Sequence, residues 1–250
     1  MRGRKQKERL LSIAAALLLW QLASMAVGQK LILVSPVSAA IRLGQLFLQG
    51  DFWKTVLSSF LRIESGFFLG LFLGGALAVF AARIPFGETM LWPFMTAVKS
   101  VPVASFIILS LIWLDRSGLS VFISFLMVLP IFYFNVLEGM KSTDQKLLEM
   151  AEVFRIPGGR RFCYLYLPQI RPFLLSACRM ALGISWKAGV AAEVIGIPDG
   201  SIGERLYEAK VYLDTAELFA WTVVVVVVSV LFEKIFTGLL RRIFKRLERL

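Results

Sequence analysis

Two cations within an apolar stretch are the residues of this sequence best suited to act on a charged solute. Arg179 and Lys187 interrupt the segment 171–195. Eight residues at 100° each separate their side chains by about 80° on a helix, so both can face one cavity. A charge inside a membrane costs about 2.5–3.5 kcal/mol unless it faces protein or water. Two readings stay open: a cationic path suited to an anion such as a sulfonate, or charges that snorkel or pair with Glu64 or Glu193.

The sequence lacks the residue patterns that covalent or metal chemistry needs. It contains no histidine, and its two cysteines, Cys163 and Cys178, form no metal-ligand spacing with their neighbours. It has neither a Gly-rich phosphate loop ending in Lys-Ser/Thr nor a Gly-x-Ser-x-Gly turn. We therefore predict no catalytic residue, no metal and no cofactor bound by this chain. This counts against a membrane-embedded lipid-modifying enzyme, which stays an alternative together with a secondary transporter.

The one long polar stretch between apolar segments, residues 138–168, has a local pattern of its own. Ser142 and Gln145 have the spacing of a capping box, which predicts a helix over about 143–154. Its apolar residues fall on one face; they are Leu147, Leu148, Ala151 and Phe154. The Ile-Pro-Gly-Gly at 156–159 predicts a turn after it. The apolar stripe either docks into a groove of another protein or packs on the protein's own spans.

Membrane helices have to position these residues. The chain of 250 residues is 58% hydrophobic, with a mean hydropathy of +0.74, whereas soluble domains are about 45–50% apolar. The apolar residues form stretches long enough to cross a bilayer as helices. We predict one all-α, polytopic membrane domain over residues 1–250. Its six predicted spans cover about 10–29, 56–82, 95–114, 117–137, 171–195 and 218–240.

The distribution of charge predicts how these spans are oriented. The net charge is +11, and basic residues are concentrated in 1–9 and 241–249. Basic segments flanking membrane spans stay on the cytoplasmic side. We therefore predict that both termini and the loop 138–168 are cytoplasmic, and that the acidic segment 193–217 is outside. The positive charge needs no nucleic acid to explain it, and we expect none as a partner.

Two further segments predict helix packing and lipid contact. Gly66, Gly70 and Gly74 recur at four-residue intervals in the second span, a spacing that lets helix backbones approach closely in lipid. The contact lies within the chain or with a second copy. After Ser35-Pro36, a segment with helical apolar periodicity to about Lys54 predicts an amphipathic helix at the membrane surface, or a short loop helix.

The loop 138–168 resembles the loop shared by permeases of binding-protein-dependent ABC importers. The family pattern is Glu-Ala-Ala, three residues, Gly, nine residues, then Ile-x-Leu-Pro. The matching residues, at the same spacing, are Glu149, Met150, Ala151, Arg155, Leu165, Leu167 and Pro168. Met150 replaces an alanine, and Arg155 replaces the glycine that permits a tight turn. We expect Pro157-Gly158 to take over that turn.

Other stretches are similar to the nitrate, sulfonate and taurine branch of that family. They are residues 33–36, 99–102, 179–183, 186, 192–193, 201–203 and 213–215. The resemblance implies a type I ABC importer permease fold and a subunit of the inner cell membrane. Such a subunit forms the translocation path and hydrolyses no ATP itself.

The resemblance also implies partners and a solute class. The coupling residues that would meet a cytoplasmic ATPase are Glu149, Met150, Ala151, Phe154, Arg155, Gly158, Leu165, Leu167 and Pro168. Two ATPases, a second permease copy or a sister permease, and an external solute-binding protein would complete the importer, surrounded by membrane lipid. The implied solute is a small anion such as a sulfonate, taurine or nitrate, or a vitamin precursor.

Overall fold

The computed structural model describes residues 2–29 and 31–247, without the side chains of residues 2–6, 9, 10, 85, 163 and 247. The predictions for Cys163 and for the first basic residues lie outside the described side chains. Every regular element in the described chain is helical, which confirms the all-α prediction. The helices are α1 (Arg2–Val27), α2 (Pro36–Phe47), α3 (Phe52–Arg83), α4 (Pro85–Ser100), α5 (Val103–Ser110), α6 (Arg116–Lys141), α7 (Gln145–Val153), α8 (Gly158–Arg161), α9 (Leu167–Gly196), α10 (Ile202–Val211) and α11 (Thr215–Leu247), with a π turn (Phe162–Tyr166) between α8 and α9.

The centre of the fold is α6, which packs between α3 and α9. The glycines of α3 make the first of these contacts. A Cβ added at Gly66 would overlap the Val121 carbonyl oxygen, one at Gly74 would overlap that of Leu129, and Gly70 contacts the same helix between them. The two backbones reach this distance because glycine has no Cβ. The contact of these glycines is therefore made within one chain.

The other side of α6 contacts α9 through small side chains. Ala177, Ala181 and Gly189 of α9 are buried, and the Ser124 hydroxyl of α6 donates to the Ser185 carbonyl oxygen at 3.2 Å. The large buried rings, Trp186 of α9 and Trp221 of α11, pack with the aliphatic residues around them. Together α3, α6, α9 and α11 therefore form one helix bundle around α6.

The span predicted over 95–114 is a bent pair of helices. α4 ends at Ser100, Val101 and Pro102 are extended, and α5 lies at 97° to α4. Pro102 lacks a backbone N–H and disfavours helical backbone at the residue before it, which explains the position of the break. With eight residues, α5 is about 12 Å long and cannot cross a bilayer alone.

Three described helices, α3, α6 and α11, have the length and hydropathy of membrane spans, and the bent pair α4–α5 makes a fourth if counted as one span. The apolar part of α1, Leu11–Val27, is shorter than the usual length of about 20 residues. α9 has 30 residues but carries charges along its length. The count of six spans therefore stays a prediction.

The two ends of the bundle differ in what they carry. The last residues of α3 and α6 meet the segment 143–166 at one end, which we name the loop end; the opposite end carries α10 and is named the α10 end. α1 runs antiparallel to α11, because the Trp20 and Phe219 rings are 5.3 Å apart and the Thr215 hydroxyl donates to the Leu31 carbonyl oxygen at 2.8 Å. α1 and α11 therefore both extend from the α10 end toward the loop end, and the cytoplasmic position of the termini stays a prediction.

Candidate functional site

The helix of the polar loop is capped by a different residue from the one predicted. α6 continues past the predicted end of its span, and the Ser142 hydroxyl donates to the Gly139 carbonyl oxygen at 2.9 Å. Ser142 therefore ends α6, and the predicted capping box between Ser142 and Gln145 is wrong. Asp144 caps α7 instead, because its Oδ1 accepts from the Lys146 N–H at 2.9 Å.

The turn that follows α7 contains Arg155, the residue at the family's glycine position. Its φ of 48° lies in the left-handed region. The Arg155 N–H donates to the Glu152 carbonyl oxygen at 3.0 Å, and the Ile156 N–H donates to that of Ala151 at 2.9 Å. These are the two hydrogen bonds of a Schellman motif. The expectation that Pro157-Gly158 takes over the turn is wrong: the arginine itself adopts the glycine conformation, at a cost of about 1–2 kcal/mol.

One side of α7 packs on the protein itself. Ala151 is buried, and Leu147 and Leu148 are half-buried. Phe154 was predicted on the same stripe, but its side chain is 73% exposed. That part of the prediction is wrong because α7 ends at Val153 and Phe154 belongs to the turn that follows.

The other side of α7 presents apolar side chains that the chain leaves uncovered. Val153 is 79% exposed, Phe154 73% and Met150 44%. Their positions at i, i+3 and i+4 bring them together on a helix. We name these three residues the α7 patch; the exposed Glu149 lies next to it in the sequence. Val153 was not among the residues predicted from the sequence, although its spacing from Met150 was a usable signal.

The loop continues into α9 through one helical segment. α8 leads into the π turn, where the Leu167 N–H donates to the Phe162 carbonyl oxygen five residues back. Pro168 and Pro172 lie at the start of α9 and supply no N–H to the carbonyls four residues back, which favours irregular helix there. Leu165 and Leu167 are half-buried, and Pro168 is exposed. The family motif thus forms the junction between the loop and α9, with Gly158 exposed at its beginning.

Arg179 and Lys187 lie on a side of α9 that is open in the single chain. Both side chains are exposed, and a Cβ added at Gly183, midway between them, would have no neighbour within 4 Å. Neither cation has a hydrogen bond or ion pair with the described residues. Eight residues place the two cations about 12 Å apart along the helix axis. We name this side, defined by Arg179, Gly183 and Lys187, the α9 face.

The two carboxylates considered as partners of these cations have partners of their own. Glu64 is 4% exposed, and its Oε1 accepts from the Trp186 indole N–H at 2.8 Å. Glu193 is fully buried, and its Oε2 accepts from the Ser59 hydroxyl at 2.7 Å. The alternative in which either carboxylate pairs with a cation of the α9 face is therefore wrong.

Glu193 and Ser59 also hold the start of α10. The Ser59 oxygen accepts from the Ile202 N–H at 2.8 Å, and Glu193 Oε2 accepts from the Gly203 N–H at 3.2 Å. A Cβ at Gly203 would overlap the Cβ of Glu193. These residues, which we name the Glu193 cluster (Ser59, Glu193, Ile202 and Gly203), were not predicted from the sequence to act together. The available signal was the Ser-x-x-Glu cap that begins at Ser201.

α2 is joined to the start of α11 by charged groups at the α10 end. Arg42 Nη2 lies 2.7 Å from Glu217 Oε2 and 3.7 Å from Asp214 Oδ2. The hydrogen bond that the Arg42 guanidinium donates to Glu217, together with the negative charge of that carboxylate, raises the pKa of Arg42 above its ordinary value. Leu46, on the inner side of α2, is fully buried, while Val37 and Ile41 on other sides of the same helix are exposed. α2 therefore packs on the bundle and still presents apolar side chains outward.

Within residues 2–29 and 31–247, no three His, Cys, Asp or Glu side chains are placed to share a metal ion. Cys178 is buried among apolar residues of α3, α6 and α9.

Residues 66–249 match the family described as "Binding-protein-dependent transport system inner membrane component". The chain is similar to the putative aliphatic sulfonates transport permease protein SsuC of Bacillus subtilis (strain 168), with 29% identity over 97% of this chain and 90% of that protein. It is similar to the taurine transport system permease protein TauC of Escherichia coli (strain K12), with 24% identity over 80% of this chain and 72% of that protein. It is also similar to the bicarbonate transport system permease protein CmpB of Synechocystis sp., with 25% identity over 79% of this chain and 74% of that protein.

These matches agree with the apolar helices and with the loop between α6 and α9. They establish an inner-membrane transport subunit rather than an enzyme, one that works with an ATPase and a binding protein. The chain therefore belongs to the family of inner membrane components of binding-protein-dependent transport systems, the permease subunits of ABC importers.

Proposed function

We propose that two copies of this permease, or this chain and a sister permease, line the import path for a small anion and are driven by two separate cytoplasmic ATPases. The observation that carries the proposal is the α7 patch. In this scheme the loop end is cytoplasmic, and an external binding protein delivers the solute at the α10 end. The permease itself binds no cofactor.

The α7 patch has the features of a helix that docks into a groove. Met150, Val153 and Phe154 are apolar and uncovered, although α7 buries its opposite side through Ala151. Apolar anchors at i, i+3 and i+4 with polar residues around them are typical of helix-in-groove recognition. Burying one such side chain contributes about 1.5–3 kcal/mol. Exposed Glu149 supplies a polar rim.

The junction between the loop and α9 supports transmission of movement from the ATPase to the spans. α8, the π turn and α9 follow one another without a coil segment. A rigid-body shift of the loop therefore moves the α9 face with it. Domain switching of this kind needs an element that connects the docking surface to the part that changes position.

Co-purification tests the docking proposal. The double variant V153S/F154S removes two exposed anchors, and we expect it to lower the amount of ATPase that co-purifies with the tagged permease by about tenfold or more. The control is Tyr212→Ser, which removes an aromatic that is 80% exposed at the α10 end. The thermal unfolding midpoint of V153S/F154S should equal that of the unmodified chain. Undiminished ATPase in that variant would contradict the proposal.

The α9 face supports a path for anions. Arg179 and Lys187 are exposed and without protein partners among the described residues. Leaving each cation against lipid would cost about 2.5–3.5 kcal/mol on insertion scales. Water in a path between two permeases removes that cost, and the two charges then attract an anion. The similar permeases named for sulfonates, taurine and bicarbonate favour solutes of this class.

Uptake by cells or vesicles tests the path. With labelled ethanesulfonate, taurine and bicarbonate as probes, we expect Lys187→Gln and Arg179→Gln each to lower ATP-dependent uptake of the transported probe by about tenfold. Lys234→Gln is the matched control, because Lys234 is also exposed on a long apolar helix, α11. If both α9 variants take up the probe as fast as the control does, these cations do not line the path. A loss of ATPase docking would instead appear as less ATPase in the co-purification assay.

A further inference from the structure

A cavity at the loop end is distinct from both the α7 patch and the α9 face. It has a volume of about 610 Å³ and lies between the ends of α3 and α6 on one side and the loop on the other. The polar side chains that line it are Arg83, Lys141, Thr143, Gln145, Arg161 and Tyr166. The charged members of this lining are three cations, so the cavity is electrostatically suited to an anion.

Two buried donors of the cavity have no acceptor within the described chain. Thr143 is 7% exposed, and its hydroxyl has no hydrogen-bond partner. The Nε of Arg161 is also buried without a partner. A buried polar group left unpaired costs about 1–3 kcal/mol. The pair therefore indicates an acceptor that the protein itself does not supply.

The helix ends explain only part of this arrangement. Arg83 and Lys141 lie in the last turns of α3 and α6, where cations interact favourably with the helix dipole. Lys141 Nζ also pairs with Glu88 Oε1 at 2.6 Å. Neither explanation applies to Thr143, which follows α6, or to Arg161 in α8. Water would satisfy the two donors but would not compensate the positive charges of Arg83 and Arg161.

We propose that this cavity binds a tetrahedral oxyanion, either the phosphate of an anionic phospholipid or a free oxyanion such as inorganic phosphate. The guanidinium of Arg161 and the Thr143 hydroxyl supply hydrogen bonds, and Arg83 and Lys141 supply further positive charge. Charge-assisted hydrogen bonds from arginine are the usual means of phosphate recognition. Basic pockets between membrane helices on the cytoplasmic side bind phospholipid headgroups.

An oxyanion in this cavity would contact the ends of α3 and α6 and the segment that leads into α9. It would therefore hold the loop at a fixed position relative to the bundle and favour the transmission of movement from α7 to α9. This consequence rests on the proposed docking of α7 to the ATPase. Binding of the anion does not rest on it and can be measured on the permease alone.

Thermal unfolding of the purified permease in neutral detergent tests the binding. The probes are a short-chain phosphatidylglycerol, the matching phosphatidylcholine, and inorganic phosphate. We expect Arg161→Gln to raise the half-saturating concentration of the stabilising probe by about tenfold, and the nearly isosteric Thr143→Val to raise it by a smaller factor. Arg242→Gln is the control, because it removes one exposed cation of α11 with the same change of net charge.

The probes distinguish the two sources of the oxyanion. Stabilisation by phosphatidylglycerol alone assigns the cavity to a lipid, and stabilisation by inorganic phosphate assigns it to a free oxyanion. The proposal is overturned if no probe stabilises the chain, if phosphatidylcholine does so equally well, or if Arg161→Gln and Thr143→Val bind as the control does. None of these outcomes depends on whether an ATPase co-purifies.

Discussion

The two ends of α9 are built in opposite ways. At the α10 end, Glu193 and Ser59 are buried and accept hydrogen bonds from the backbone N–H groups of Ile202 and Gly203, so these two N–H groups are paired within the chain. At the loop end, the α7 patch is uncovered and the left-handed turn at Arg155 has an unfavourable backbone. The junction between α9 and α10 is held by contacts within the single chain, whereas the loop end has surfaces that a partner would complete. Substitutions at the α10 end should therefore affect stability most.

The largest effect is expected for Gly203→Ala. The new Cβ would overlap the Cβ and the backbone of Glu193, and α10 would have to move away from α9. We expect a loss of about 3 kcal/mol or more in the free energy of unfolding. Tryptophan fluorescence during thermal unfolding in detergent measures it.

Gly238→Ala is the control for that substitution. A Cβ at Gly238 has no neighbour within 4 Å, and alanine in a helix is favoured over glycine by about 0.5–1 kcal/mol. Equal midpoints for the two variants would show that α10 is not held as closely to α9 as the Glu193 cluster indicates.

An intermediate effect is expected for Ser59→Ala. It removes the hydroxyl donor to Glu193 and leaves the buried Ile202 N–H without an acceptor. The expected loss is about 2 kcal/mol. Ser65→Ala, on the exposed side of the same helix, should change stability by less than about 0.5 kcal/mol. A loss confined to Ser65→Ala, or equal in both variants, would contradict a structural role for the cluster.

The smallest effect, and a favourable one, is expected for Arg155→Gly. Glycine adopts the left-handed φ without strain, so α7 should gain at most about 1 kcal/mol against local opening. Arg155→Val should lose stability instead, because a β-branched residue fits this region poorly. Amide hydrogen exchange of α7 measures both changes. Unaltered exchange in both variants would mean that the turn is not strained.

The features that could be predicted from the sequence are those that repeat locally. The glycine spacing in α3 predicts close helix packing, and the motif from Glu149 to Pro168 predicts an ordered loop before α9. Pro102 signals the irregularity where the helix breaks. In each case the signal lies within a few residues of its effect.

The features that were missed depend on residues far apart or on where a neighbouring helix ends. Ser59 and Glu193 are 134 residues apart in the chain, and nothing near either residue indicates the other. Ser142 and Asp144 are both good helix caps; Asp144 takes the role because α6 extends as far as Ser142. At Arg155 the fold imposes a backbone conformation that the residue type does not favour.

The π turn takes up one more residue between the loop and α9 than a regular α-helix would. The Leu167 N–H bonds to the Phe162 carbonyl oxygen five residues back, whereas the corresponding bond of an α-helix joins residues four apart. Deleting a single residue between 163 and 166 would turn this bond into the regular α-helical one and leave α8 and α9 in the same relative phase. Deleting a residue from the regular part of α9 would instead rotate its two sides by about 100° relative to each other. The five-residue segment is therefore a place where the chain can change its length by one residue without turning the loop relative to the α9 face.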